Sequence, residues 1–315
     1  MRRLGLRSYA FSICAATMLL TGCAVSQTPI SAPGTTAQSM ASRSTSGGEL
    51  LYISDETTDD VYFFSYPSGS LTGTLTGFGT PQGLCSDNAG DVFVTDEKDA
   101  DVVEYAHGGT SPIKTLEDSG RPSSCAVDPA TGDLAVSNFN SFVSIYKQAE
   151  GSPTDYSTAA SAVFCTYGKH GKLYIDEPGQ PSTGNVVQVL PHGGTSFENV
   201  SLNERLGNFS PAGIQWYGKD LVVGSAGAAS YGCCGRIFIF AVKGTNGQRT
   251  GGFHIKKTLG DFFVYGSTII ATTSGDAVQY YDYPSGDGPT QTIYDPGGSS
   301  YGVTVSAAPS GAGVH

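Results

Sequence analysis

A β-rich unit returns six times along this chain, and a pattern of that kind must either stack its copies or close them into a ring. The opening strand of the unit reads LLYISD (Leu50 to Asp55), VFVTD (Val92 to Asp96), LAVSN (Leu134 to Asn138), LYIDE (Leu173 to Glu177), LVVGS (Leu221 to Ser225) and IIATT (Ile269 to Thr273). A second β-branched or aromatic run follows each, as in VYFFSYPSG, VVEYAHGG and AVQYYDYPSG. Counted from Leu51, the opening strands lie 41, 42, 39, 48 and 48 residues apart, a period that suits a four-stranded propeller blade. Turns rich in Gly, Asn, Asp and Pro separate the runs, and no long amphipathic helix interrupts them.

The two ends of the repeat region complement each other. No strand of the fourth type precedes Leu51, whereas YGVTVS (Tyr301 to Ser306) is a fourth-type strand with no repeat after it. Pairing residues 301–306 with residues 50–55 completes six blades and removes the open edges of an all-β chain. The expected fold is therefore an all-β, six-bladed propeller of four-stranded blades over residues 49–308, with a disordered tail at 309–315.

The residues before the repeats read as an address. Arg2, Arg3 and Arg7 form a basic start, Tyr9 to Leu20 is an apolar run too short to span a membrane, and Leu20-Thr21-Gly22-Cys23 closes it. This ending resembles a bacterial lipobox. The resemblance implies cleavage after residue 22 and lipidation of Cys23, so that acyl chains hold the protein at the membrane. Residues 23–48 are Ser, Thr, Ala, Gly and Pro with almost no large apolar side chain, and read as a flexible tether reaching roughly 25–30 Å. Ala24 after the cysteine favours an outer membrane or cell-surface location on the periplasmic or extracellular side.

Loss of the three leader arginines leaves 14 basic residues against 28 acidic ones, a charge of about −14. Such a balance argues against nucleic acid as a ligand and suits a cation or a basic partner. A monomer is expected. Cys85, Cys125 and Cys165 sit among apolar residues in fourth-type strands and read as buried small hydrophobes.

The pattern Pro81-Gln82-Gly83-Leu84 through Asp87, Gly90-Asp91 and Val94-Thr95-Asp96 resembles the repeats of NHL and gluconolactonase-like (SMP-30) propellers over about two blades. The later repeats keep only the strand pattern. In such propellers the loops after the first and third strands of this unit surround one mouth of the central channel. The strand-end residues there are Asp55, Asp96, Asn138 and Glu177 on consecutive blades, an arc of oxygen ligands that suits Ca²⁺ or another divalent cation. The same residue types also cap loops through side chain to backbone hydrogen bonds. The resemblance implies these four as metal ligands of a lactonase-type hydrolase, although no early Glu ligand and no general-base constellation is apparent. Arg121 and Arg205 would reach the same face, there to pair with its acids or to capture a ligand carboxylate or phosphate. Cys233 and Cys234, adjacent in the loop Gly224 to Arg236, could close on each other, staple the loop elsewhere, or stay reduced. His107 and His192, in equivalent HGG turns two blades apart, read as exposed. The expected function is a lipid-anchored cell-envelope binding module that presents its acidic loop face to a protein, glycan or small molecule, without catalysis. A divalent-metal-dependent lactonase-type hydrolase is the alternative.

Overall fold

The computed structural model describes residues 48–180, 184–207, 210–227 and 234–308. The leader, Cys23, nearly all of the tether, Cys233 and the tail from residue 309 lie outside the described residues. Six sheets, five of four strands and one of five, make up the fold, and the only helical segments among the described residues are two three-residue 3-10 turns. In blades 2 to 6 the chain runs through four strands from the innermost outward, and then crosses to the next blade.

Blade 1 closes the ring. Its innermost strand, Ser300–Ser306, comes from the end of the chain and pairs antiparallel with Leu50–Asp55, followed outward by Asp60–Ser65 and Ser70–Leu75. The register Leu50↔Ser306 to Ile53↔Val303 is the pairing expected from the complementary ends. The innermost strands of blades 2 to 6 are Pro81–Ser86, Pro122–Val127, Phe164–Tyr167, Pro211–Tyr217 and Leu259–Tyr265. Blade 5 is larger because its third and fourth strands, Gly235–Lys243 and Asn246–Ile255, form a long hairpin with Ser201–Leu202 added in parallel outside it. That extension accounts for the longer spacing of the late repeats.

The strands read as continuous apolar runs because they are buried on both faces, each facing a different neighbour. In Leu50–Asp55, Leu50 and Tyr52 enter the cluster shared with blade 2, while Leu51 and Ile53 enter the cluster shared with blade 6. The same alternation produces six apolar clusters, one between each pair of adjacent blades. The strand aromatics Phe63, Phe64, Phe238, Phe240, Tyr280 and Tyr281 lie in these clusters.

His107 is buried, not exposed as its HGG turn suggested. Its Nδ1 lies 2.7 Å from Ser306 Oγ and its Nε2 3.0 Å from the Gly48 carbonyl, so blade 2 clasps both strands of the closure. His192, in the equivalent turn of blade 4, is exposed.

Two of the cysteines read as buried hydrophobes are joined: Cys85 and Cys125 form a disulfide between blades 2 and 3, with Cα atoms 5.6 Å apart. Leu84 pairs with Val94 where Cys125 pairs with Val136, so Cys85 stands one residue further along its strand than Cys125. One residue reverses the direction of a side chain in a strand, and the two thiols therefore face each other across the interface. Cys165 occupies the register of Cys125, pairing with Ile175, and is free and buried. The residue opposite it in blade 3, at the position of Cys85, is Ala126.

Candidate functional site

The strand-end residues of the acidic arc are placed on four consecutive blades, and each turns toward its own loops. Asp55 accepts backbone N–H bonds from Thr57 (2.9 Å), Thr58 (2.8 Å) and Ser299 (2.6 Å). Asp96 accepts from Gly79 (2.5 Å) and Thr80 (2.8 Å) of the preceding crossover, and from Lys98 (3.2 Å) and Asp99 (3.3 Å) of its own loop. Glu177 Oε1 accepts from the Ala160 N–H (3.1 Å). Asn138 reaches Ser144 Oγ (3.4 Å) and the Val136 carbonyl (3.5 Å), and its Oδ1 lies buried beside Gly120 without a hydrogen bond.

A carboxylate at this position satisfies the peptide groups of a crossover that has no strand partner of its own. The expected metal set is not brought together: among the described residues no group of three or more His, Cys, Asp or Glu could hold a metal ion. Burial alone would raise Asp55, but bonds from Ser299, Thr58 and the Asp295 carboxyl outweigh it and hold Asp55 below the ordinary carboxylate range. Asp295, itself buried and beside the Asp55 charge, is pushed up to about 7. Burial raises Glu177 against the N–H groups of Ala160 and Ala159.

The other expected face residues are likewise engaged. Arg121 forms an ion pair with Glu97 and lies 5.5 Å over the Phe139 ring. Arg205 is exposed and has a partner of its own. Cys234 is disulfide-bonded.

The opposite end of the ring holds a concavity. Its geometry starts from one position on each innermost strand, immediately before the residue that pairs with Ile53, Val94, Val136, Ile175, Val223 or Ala271. Around the ring that position is Gly302, Gly83, Ser124, Phe164, Gly213 and Asp261. The strands approach so closely there that a Cβ on Gly83 would stand 2.6 Å from Ser124 Cα, and one on Gly302 2.8 Å from Gly83 Cα. Small residues make this waist possible, and the two exceptions, Phe164 and Asp261, put their side chains into it. Tyr301 of blade 1 stacks on Phe164 of blade 4 with ring centroids 6.3 Å apart, crossing the channel between opposite blades.

From the waist a cavity of about 640 Å³ runs to the turns that join innermost to second strands. Phe164, Asp261, Ile214 and Val303 line its inner end, and Asp87, Asn88 and Asp128 its mouth. The innermost strands present unpaired peptide edges here, and side chains of the preceding blade satisfy several of them. Thr166 Oγ1 accepts from Trp216 N (3.0 Å), and Gln215 accepts from Val264 N (2.6 Å) and donates to its carbonyl (3.1 Å).

Asp261 Oδ1 accepts from Phe262 N (2.7 Å) and Oδ2 from Val303 N (3.3 Å). Burial pushes its carboxyl up to about 7 against those two bonds. Asp176, fully buried at the penultimate position of Leu173–Glu177, accepts from Phe164 N (2.9 Å) through Oδ1, while Oδ2 has no hydrogen bond. Burial and the nearby Asp261 charge both hold it well above the ordinary range. Sequence reasoning missed Asp261 and Phe164 as channel residues. The available signal was the small residue recurring on fourth-type strands, which these two interrupt.

Fold and site together define a six-bladed β-propeller with an axial cavity. No protein-family model matches the chain, and no curated protein matches it in sequence. Solved structures do. It is similar to a chain of a nidogen/laminin complex at 14% identity and a TM-score of 0.67, covering 83% of this chain and 99% of that one. It is also similar to hydrazine synthase of Kuenenia stuttgartiensis (13% identity, TM-score 0.56, 73% and 72% covered). A functionally unknown protein of Desulfotomaculum acetoxidans matches at 12% identity and a TM-score of 0.56, with 79% of each chain covered. At these identities the likeness is one of fold.

Proposed function

We propose that this chain is a non-catalytic binding protein, lipid-anchored through Cys23 at a bacterial cell envelope, with the propeller as its ligand-binding body. The observation that carries the reading is the preformed axial cavity, of a volume typical for small-ligand sites, in a ring whose strand-end acids are occupied in holding loops. The complex that contains the similar nidogen/laminin chain is in keeping with a propeller used for binding. The acidic loop face, where Glu56 and Asp99 stay exposed, offers a second contact surface for a protein or glycan.

A lactonase-type hydrolase would need Asp55, Asp96, Asn138 and Glu177 to leave their backbone partners and converge on Ca²⁺ or another divalent cation. The test is twofold. Labelled palmitate should enter the full chain and not its Cys23→Ala variant, with loss of membrane association. A lactone and ester panel with Ca²⁺, Mg²⁺ and Zn²⁺ should give no turnover; turnover abolished by Asp96→Ala would overturn the non-catalytic reading.

A further inference from the structure

We infer that the axial cavity takes a small organic cation, with its ammonium group against Asp261 and its apolar body against Phe164, Ile214 and Val303. This rests on the binding reading above and names the ligand class for it. The cavity's lining holds three carboxylates, Asp261 at the inner end and Asp87 and Asp128 at the mouth, and no Lys, Arg or His. An anionic ligand would meet only like charge there, and a neutral one would leave the inner carboxylate without a counter-ion.

Asp261 is buried, 6% exposed, and no ion pair of the described residues involves it or its neighbour Asp176. A buried charge is stable only when paired, so burial drives these carboxyls toward their protonated forms. A cation beside Asp261 removes that cost. Its hydrogen bonds from Phe262 and Val303 fix the carboxylate in place before the ligand arrives. A bare metal ion fits less well, because Ca²⁺ takes six to eight oxygens and the described residues hold no group of three or more acidic, His or Cys ligands. The volume of about 640 Å³ and the apolar inner wall suit a molecule with a ring or short chain behind its charge.

The experiment is calorimetric titration of the full chain with three probes of one shape: 2-phenylethylamine, 2-phenylethanol and 3-phenylpropionate. The amine should bind at least tenfold more tightly than the alcohol, and the propionate should not bind. Asp261→Asn should lower amine affinity at least tenfold and leave the alcohol unchanged, while Glu56→Gln on the opposite face should change nothing. Should Asp261→Asn not fold, the unaltered protein still decides: amine affinity should rise from pH 6 to pH 8, with proton release on binding that the alcohol does not cause. Equal binding of alcohol and amine, amine binding that survives Asp261→Asn, or weaker amine binding after Glu56→Gln would overturn the assignment while leaving a binding protein. Silence from all three probes would also overturn it, and the wider reading would still stand or fall on the turnover and palmitate results.

Discussion

Replacing Ala126 with Cys should create a second disulfide between blades, joining blade 3 to blade 4 through Cys165. The register makes the case. Cys125 Sγ lies 3.7 Å from the carbonyl of Phe93, the residue that pairs with Cys85; Cys165 Sγ lies 3.7 Å from the carbonyl of Ala135, the residue that pairs with Ala126. Position 126 thus stands to Cys165 as Cys85 stands to Cys125. The new bridge would close 39 residues, against 40 for the existing one. Constraint of the unfolded chain by a loop of about 40 residues contributes about 4 kcal/mol in the chain-entropy account, and engineered bridges reach about half to all of such a figure. At about 2–4 °C per kcal/mol for a domain of this size, Tm should rise by roughly 5–10 °C. The assay compares thermal unfolding of oxidised and reduced Ala126→Cys with Ala126→Ser, after counting thiols in denaturant. A Cys165 thiol that remains titratable after oxidation would refute the facing geometry. A bridge that forms without raising Tm would refute the assigned magnitude.

Removing the His107 clasp by His107→Ala leaves Ser306 Oγ and the Gly48 carbonyl without their shared partner, and should cost about 1–3 kcal/mol in denaturant unfolding. Because burial holds this imidazole below the ordinary range, its contribution is present above pH of about 6.5 and is lost as pH falls through the folded value. The carboxyls of Asp261 and Asp295, raised to about 7, act with the opposite sign: their contribution is full below the unfolded value and fades as pH rises through 7. Tm should therefore fall between pH 5 and pH 8, and Asp261→Asn should flatten that slope; an unchanged slope would contradict the burial of Asp261. Asp96→Ala should destabilise by about 2–4 kcal/mol, since it frees the Gly79 and Thr80 N–H groups, and should leave any heat of Ca²⁺ titration unchanged. Gly302→Val places a side chain against Gln82 and Gly83 at the ring closure and should give insoluble protein, whereas Gly48→Ala, in open space and without a positive φ, should stay soluble.

The ring was legible in the sequence because its physics is local. Each strand is an apolar run whose alternate residues serve two neighbours, and Leu50–Asp55 lacks an inner partner that only Ser300–Ser306 can supply. The disulfide was missed although its parity can be counted. Gly83 and Ser124 hold one register 41 residues apart, while Cys85 and Cys125 are 40 apart, one short of the repeat and so turned to facing sides. Cys125 and Cys165 are separated by the 40 residues that also separate Ser124 from Phe164, and they point the same way. The count needs the register at the β-bulges, between Pro81 and Leu84 and between Pro122 and Ser124, and those irregularities leave no mark in composition.

The site was less legible for a different reason. An acid at a strand end and an acid on a channel wall carry the same letter, and what separates them is the number of peptide N–H groups within reach. Asp96 meets four, two from the preceding crossover and two from its own loop. Asp261 meets two, both from innermost strands whose edges face a cavity, and burial leaves it short of a partner. Periodicity finds strand ends easily, so it drew attention to the acids that the crossovers already use. The position that matters recurs just as regularly, but as Gly83, Gly213 and Gly302, and a run of glycines points to close approach rather than to chemistry. Asp261 gains its meaning from that background: where neighbouring blades need almost no side chain to close the waist, one blade places a carboxyl there, and the ring has room for what would neutralise it.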